Sequence, residues 1–294
     1  MRVIASRFRF AGVFAAAALV AATVLIAGCS SSSYSLVKSG NLTVCSDTSY
    51  PPQESLDSSN KAVGSDIDLG AEIAKRMNLT LDVKSTVFDS IIPALQGGNC
   101  DIIISAQTIT KERQAAVLMI PYFAAGQSFV VLKGNPDTIN SIDDLCGKAV
   151  AAEKGTIEAD HIAGTGSGYD TTSSLDANCK TKGKAAITLQ VFDADTAALA
   201  ALQANTVVAH FTDEPVAGYE VAHGNGAFEL VPAMTLERGA EGISVPLKNT
   251  SLRDAVQKAL LDMIGDGTYL KILTTWGVQS GAITAADVNA TPIP

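Results

Sequence analysis

From residue 41 onward, short apolar runs alternate with segments in which apolar residues return every three or four positions. The runs at 42–44, 79–83, 102–104, 128–132, 149–152, 189–192, 207–211 and 243–245 are expected as strands. Several are apolar throughout, the pattern of strands covered on both faces. Between them, Leu69, Ile73 and Met77 recur at i+4 within 66–77, and apolar residues occupy 252, 255, 256, 259, 260 and 263. Both segments are expected as helices with one buried face. Strand–helix alternation sustained over this length predicts an α/β fold with mainly parallel sheets. Such sheets place ligands at the carboxyl ends of their strands, which directs attention to the loops at 45–52, 105–113, 153–156 and 212–215. Each combines a hydroxyl, a small residue and a charge, the equipment for converging hydrogen bonds to a small polar molecule.

The first 28 residues have a different pattern. Arg2, Arg7 and Arg9 precede an apolar run at 10–27 that contains no acid and ends in Leu25-Ile26-Ala27-Gly28 before Cys29. These are the parts of an export signal. A run of about 18 apolar residues can just span a bilayer, so an uncleaved anchor is the competing reading. The run is largely alanine, however, and small residues directly before a cysteine resemble the bacterial lipobox. Cys29 is therefore the expected lipidation site, with cleavage before it. The chain is expected to be exported and lipid-anchored to the cell membrane on its extracytoplasmic face. Residues 29–40, rich in serine, are expected as a tether. No other stretch is apolar and long enough to span a membrane.

Charge narrows the partners. The 294-residue chain carries 21 Lys+Arg against 30 Asp+Glu, and loss of residues 1–28 would leave 18 against 30. Phosphate backbones repel so acidic a chain, so nucleic acid is not an expected partner. A hydrophobic content of 47% with 17% charged residues suits a sizeable core, in one large domain or two smaller ones. Cys45, Cys100, Cys146 and Cys179 form an even set in an exported chain, which points to two disulfides with three possible connectivities. A metal is not expected, because there is no CxxC pair and His161, His210 and His223 are not at ligand spacing. Nor is a cofactor. Gly164-Thr165-Gly166-Ser167-Gly168 is followed by Tyr169 where a dinucleotide fingerprint needs glycine, and no P-loop or nucleophile elbow occurs.

The loops together resemble a known family, the solute-binding proteins of polar amino-acid ABC importers, family 3. The resemblance runs in order through Asp47-Thr48-Ser49-Tyr50-Pro51-Pro52, Gly64-Ser65-Asp66-Ile67-Asp68-Leu69 and Phe88-Asp89-Ser90-Ile91-Ile92-Pro93-Ala94-Leu95. It continues through 108–113, Thr212-Asp213-Glu214-Pro215-Val216-Ala217, 266–273 and Trp276-Gly277. It implies a two-lobe periplasmic-binding-protein-like fold of type II, with two hinge crossings and the ligand in the interlobe cleft. Lobe 1 would comprise 41–123 and 241–294, and lobe 2 would comprise 127–237. Within that frame the pairing Cys45–Cys100 and Cys146–Cys179 staples each lobe internally and leaves closure free. The implied partners are an amino acid, an ABC importer permease and, through Cys29, the membrane. The chain is expected to act as a monomer without catalysis.

The resemblance also assigns roles. An amino acid needs a counter-charge at each end, because unpaired buried charges are costly. Arg113 matches the carboxylate clamp, which a guanidinium can serve with two parallel bonds. Ser105, Ala106 and Thr108 belong to the same loop, where Thr108 and the Ala106 backbone would add donors, and Thr156 would help from lobe 2. Asp213 matches the ammonium acceptor. The competing readings are a solvated helix-start arginine and a helix N-cap before Glu214-Pro215. Tyr50 and Phe88 match an aromatic pair that sandwiches the ligand side chain. Asp47 and Glu153 are carboxylates at the distal end, which a cationic side chain would neutralise and an acidic one would not. Glu153 departs from the family pattern, and its competing reading is pairing with Lys154 or exposure to solvent. Ile157 replaces a small polar residue. Two other readings compete with the importer receptor: an enzyme resembling cyclohexadienyl dehydratases on the same fold, and a sensor acting in trans.

Overall fold

Two five-stranded sheets share one plan. In the first, Thr80–Ser85, Asn41–Ser46 and Ile102–Ile103 run parallel, and Gly239–Pro246 and Val117–Ala125 complete the sheet antiparallel. In the second, Thr188–Phe192, Ala149–Glu153 and Ala209–Asp213 run parallel, followed by antiparallel Gln127–Leu132 and Phe228–Leu230. A small sheet of Ser49–Tyr50, Glu54–Leu56 and Ala62–Val63 accompanies the first. The sheets are thus mixed, not mainly parallel. The computed structural model describes residues 1–2, 34–236 and 238–290. Residues 3–28 of the export segment, Cys29 and most of the serine tether lie outside the described residues. Among the described residues no helix is long and apolar enough to cross a membrane.

The expected helices form where the period places them. Ser65–Arg76 buries Leu69 and Ile73, while Met77 is its C-cap. Thr250–Asp266 buries Leu252, Val256, Ala259, Leu260 and Met263 against the first sheet. The other face of that sheet packs Cys45, Ile91, Leu95, Cys100 and Ile103. The second sheet is likewise covered on both faces, around Phe129, Ile162 and Phe211 on one side and Val130, Leu202 and Ala217 on the other. The disulfides Cys45–Cys100 and Cys146–Cys179 each lie within one lobe, with Cα separations of 5.7 and 5.5 Å.

Val117–Ala125 escaped the hydrophobic pattern because Pro121 interrupts it. Proline is tolerated there at an irregularity, where the pairing with Gly239–Pro246 shifts register between Glu241 and Gly242. The chain passes to the second sheet at Gly126 and returns through residues before Gly239. The two crossings run side by side, with Leu236 N donating to Gln127 O at 2.8 Å. A side chain at Gly126 would place its Cβ 2.9 Å from Leu236 O, so this close approach requires glycine.

Candidate functional site

The carboxyl ends of the parallel strands from both sheets converge on one narrow cavity. Asp47, Tyr50, Phe88, Ser105, Ala106, Thr108, Arg113, Glu153, Thr156 and Asp213 all line it, joined by Glu54, Ile157 and Glu158.

Arg113 is the third residue of the helix Lys111–Ala116, whose N-cap hydroxyl, Thr110 Oγ1, accepts from Arg113 N at 3.2 Å. Its side chain is not solvated. The residue is 8% exposed, and Nη1 and Nη2 donate to the carbonyls of Thr108 (2.8 Å) and Gly155 (3.0 Å), the latter across the cleft. Its Cζ lies 5.3 Å from the centre of the Phe88 ring, a cation–π contact. Phe88 therefore braces the guanidinium as well as lining the cavity. Burial depresses the Arg113 pKa, opposed by the charges of Glu158, Asp160 and Asp213. A buried guanidinium bonded to carbonyl dipoles, not to a carboxylate, still has a full charge to satisfy.

Across the cleft, Asp213 precedes the helix Glu214–His223 in the N-cap position, yet its side chain makes no capping bond. Its Oδ2 accepts the Tyr50 hydroxyl at 2.9 Å, while its own N–H donates to the Tyr50 oxygen at 3.0 Å. Burial raises the Asp213 pKa well above the usual range, reinforced by Glu158 and Glu241. Tyr50 thus joins the two lobes through its hydroxyl while presenting its ring to the cavity.

At the far end, Asp47 accepts from the backbone N–H groups of Ser49 (3.0 Å) and Phe88 (2.8 Å). Glu153 is 3% exposed and lies against Asp47. Lys154 does not pair with it but bridges to Asp89 at 2.9 Å. Burial first, then the charges of Asp47 and Asp195, push the Glu153 carboxyl up to about 10. Burial also raises Asp47, against its hydrogen bonds to Ser49 and Phe88. The two carboxyls lie close to each other here, and Glu153 Oε1 has no protein partner among the described residues.

Several hydroxyl and amide donors are committed to the protein in this conformation. Ser105 Oγ donates to Glu54 Oε1 at 2.7 Å and accepts from Asp47 N at 2.8 Å. Thr156 Oγ1 donates to Glu153 O and caps the helix Ile157–Ala163. The Ala106 N–H, at a positive φ of 42°, is directed at Asp66 and Tyr122 and away from the cavity. Glu54 and Glu158 had not been singled out in the sequence. Glu54 lies two residues beyond the loop at 45–52, at the start of the strand Glu54–Leu56, so position offered a signal. Glu158 lies in the first turn of a helix, where an acid is ordinary and draws no attention. Burial raises the pKa of both.

The model of bacterial extracellular solute-binding proteins, family 3, matches residues 42–279. The chain belongs to that family. Among this family member's relatives is the arginine-binding protein ArgT of Corynebacterium glutamicum, 28% identical over 261 residues, which are 88% of this chain and 81% of the relative. An ancestral arginine-binding protein, solved bound to arginine, is 35% identical with a TM-score of 0.70 over 81% of this chain and 98% of its own. An ancestral amino acid-binding protein described as a precursor of cyclohexadienyl dehydratase is 30% identical, with a TM-score of 0.69 over 81% and 95%. The two-lobe fold of type II periplasmic binding proteins is shared with these structures.

Proposed function

We propose that this family member captures a polar amino acid with a cationic side chain by closing its two lobes, and hands it to an ABC importer. The observation that carries the reading is the acidic lining of the cavity: five carboxyl side chains (Asp47, Glu54, Glu153, Glu158 and Asp213) against one guanidinium, Arg113. Arg113 takes the α-carboxylate, Asp213 the ammonium, and the Asp47–Glu153 pair the distal cation. Closure is favoured because only a zwitterion reaches counter-charges on both lobes. The moving bodies are residues 41–123 with 241–294 against 127–237. Relatives that bind arginine support this choice. Outside the described residues, Cys29 carries the lipid that holds the receptor at the membrane, checked by fatty-acid labelling lost in Cys29→Ala.

The deciding experiment is calorimetry of the refolded, ligand-stripped protein with arginine, lysine, ornithine, citrulline and glutamine. Tight binding of the cationic set supports the reading. Preference for citrulline or glutamine would keep an amino-acid receptor but discard the charge argument. One feature favours a second reading: Glu153, buried and with its carboxyl pushed up to about 10, has the form of a general acid. Loss of water from a cyclohexadienyl substrate, abolished in Glu153→Gln, would bring that enzyme reading forward.

A further inference from the structure

Behind the cleft wall of lobe 2, His210 lies between two carboxylates. Its Nε2 is 2.9 Å from Asp195 Oδ1 and its Nδ1 3.2 Å from Glu220 Oε2. The first is a charge contact without the alignment of a linear hydrogen bond. All three residues are at most 4% exposed. They come from separate elements: Asp195 opens the helix Asp195–Gln203, His210 is in the strand Ala209–Asp213, and Glu220 is in the helix Glu214–His223. None of them lines the ligand cavity. The strand neighbours of His210 are Val130 and Ala151, so the charges facing it come from Asp195 and Glu220. Burial pulls the His210 pKa down, but these two carboxylates outweigh it and hold it well above the ordinary imidazole value. Burial raises Glu220 to about 7.

This trio reaches the cleft through Asp195. Its Oδ1 also accepts from Thr212 Oγ1 at 3.1 Å, and that hydroxyl lies 3.0 Å from the Tyr50 oxygen. The Asp195 N–H donates to Ser49 Oγ at 3.2 Å. Two consecutive residues of lobe 1 therefore dock on Asp195 and Thr212 of lobe 2, beside the Tyr50–Asp213 bond. We propose that Asp195, His210 and Glu220 form an internal counterion set that holds the lobe-2 socket for Ser49 and Tyr50, which makes His210 a positioning residue for ligand capture. The inference rests on the closure reading above. His210 lies against the Asp195 carboxyl, and Asp195, by accepting the one Thr212 hydroxyl proton, holds the Thr212 oxygen 3.0 Å from the Tyr50 oxygen. Without the imidazole between them, the buried Asp195 and Glu220 carboxyls would lose their common partner, and the socket would lose its order. Each imidazole nitrogen already faces a different carboxylate, which is the geometry of an ion-paired bridge.

The test uses the full chain and L-arginine as probe, comparing wild type, His210→Asn, Thr212→Val and the double variant by stopped flow and calorimetry. His210→Asn is expected to raise the dissociation rate of arginine while leaving its association rate nearly unchanged. The double variant should lose little more than the worse single variant. A coupling of at least about fivefold between the two sites is expected for residues of one network. Thr212→Val leaves the trio intact, so it reports on the socket even where His210→Asn folds poorly. Losses that simply multiply, or Thr212→Val without effect on dissociation, would overturn the proposal. So would one-to-one uptake of Zn²⁺ by wild type that His210→Asn abolishes, because the trio would then be a metal site. Failure of wild type itself to bind arginine would count against the closure reading instead.

Discussion

Glu153→Gln separates the charge of the distal pair from its shape. The amide keeps the volume of the buried side chain but cannot become an anion. A unit charge pair at 4 Å in an effective dielectric near 20 is worth about 4 kcal/mol, and desolvation offsets part of that gain. Asp47 remains to hold the ligand cation, so arginine is expected to lose about 2–3 kcal/mol, roughly 30–150-fold in Kd. Citrulline, which replaces the guanidinium with a neutral group of similar shape, should change by less than about threefold. Calorimetry with both ligands reads the difference directly. Equal losses for the two, or none for arginine, would refute the assignment of Glu153 to a cation. The same residue gives a pH signature. The closed, ligand-free form holds its Glu153 proton up to about 10, against an ordinary value of 4.5. It therefore binds more protons than an open form between those values, and closure weakens as pH rises through that window, by about 1.4 kcal/mol per pH unit at most. Arginine replaces the proton with its own charge. Small-angle scattering should show the ligand-free protein opening as pH rises while the arginine complex stays closed, and Glu153→Gln should flatten the ligand-free profile.

Arg113→Ala is expected to cost about 2–5 kcal/mol of arginine binding, because it leaves a buried carboxylate unpaired; near-native affinity by calorimetry would remove it from the clamp. Tyr50→Phe deletes the hydroxyl that bridges to Asp213 and should weaken binding by about 1–2 kcal/mol, mainly through faster dissociation in stopped flow. Replacing Cys146 and Cys179 with serine opens a 33-residue loop and should lower stability by about 4 kcal/mol on the loop-entropy model. Urea unfolding would read that loss, while arginine affinity should hold, because the bridge lies within one lobe.

The sequence exposed most of the cavity because the nominated residues sit in loops directly after strands, where local pattern and chain geometry agree. Arg113 was legible from local pattern as a charge, and as a buried clamp only through the resemblance, since its contact with Gly155 comes from the other lobe. The role of Lys154 was misleading for a similar reason: its partner, Asp89, is near only in space. The His210 trio was invisible to spacing rules, because Asp195 and Glu220 reach the imidazole from two helices on either side of its strand in sequence. Val117–Ala125 was missed through Pro121, whose cost to the ladder is absorbed by a shift of register that only the partner strand reveals.

The side-by-side crossings at Gln127 and Leu236 give the chain the topology of an insertion. The second lobe leaves and rejoins the first at hydrogen-bonded neighbours, whose Cα atoms in such pairs are about 5 Å apart. Each lobe has its own core and its own disulfide. The second lobe is thus a cassette: a link of a residue or two can stand in for it, and its own ends can be joined or opened elsewhere without crossing a core. Chain order and spatial order are decoupled here, so new termini or a reporter domain can be placed on one lobe while the other keeps its native covalent frame.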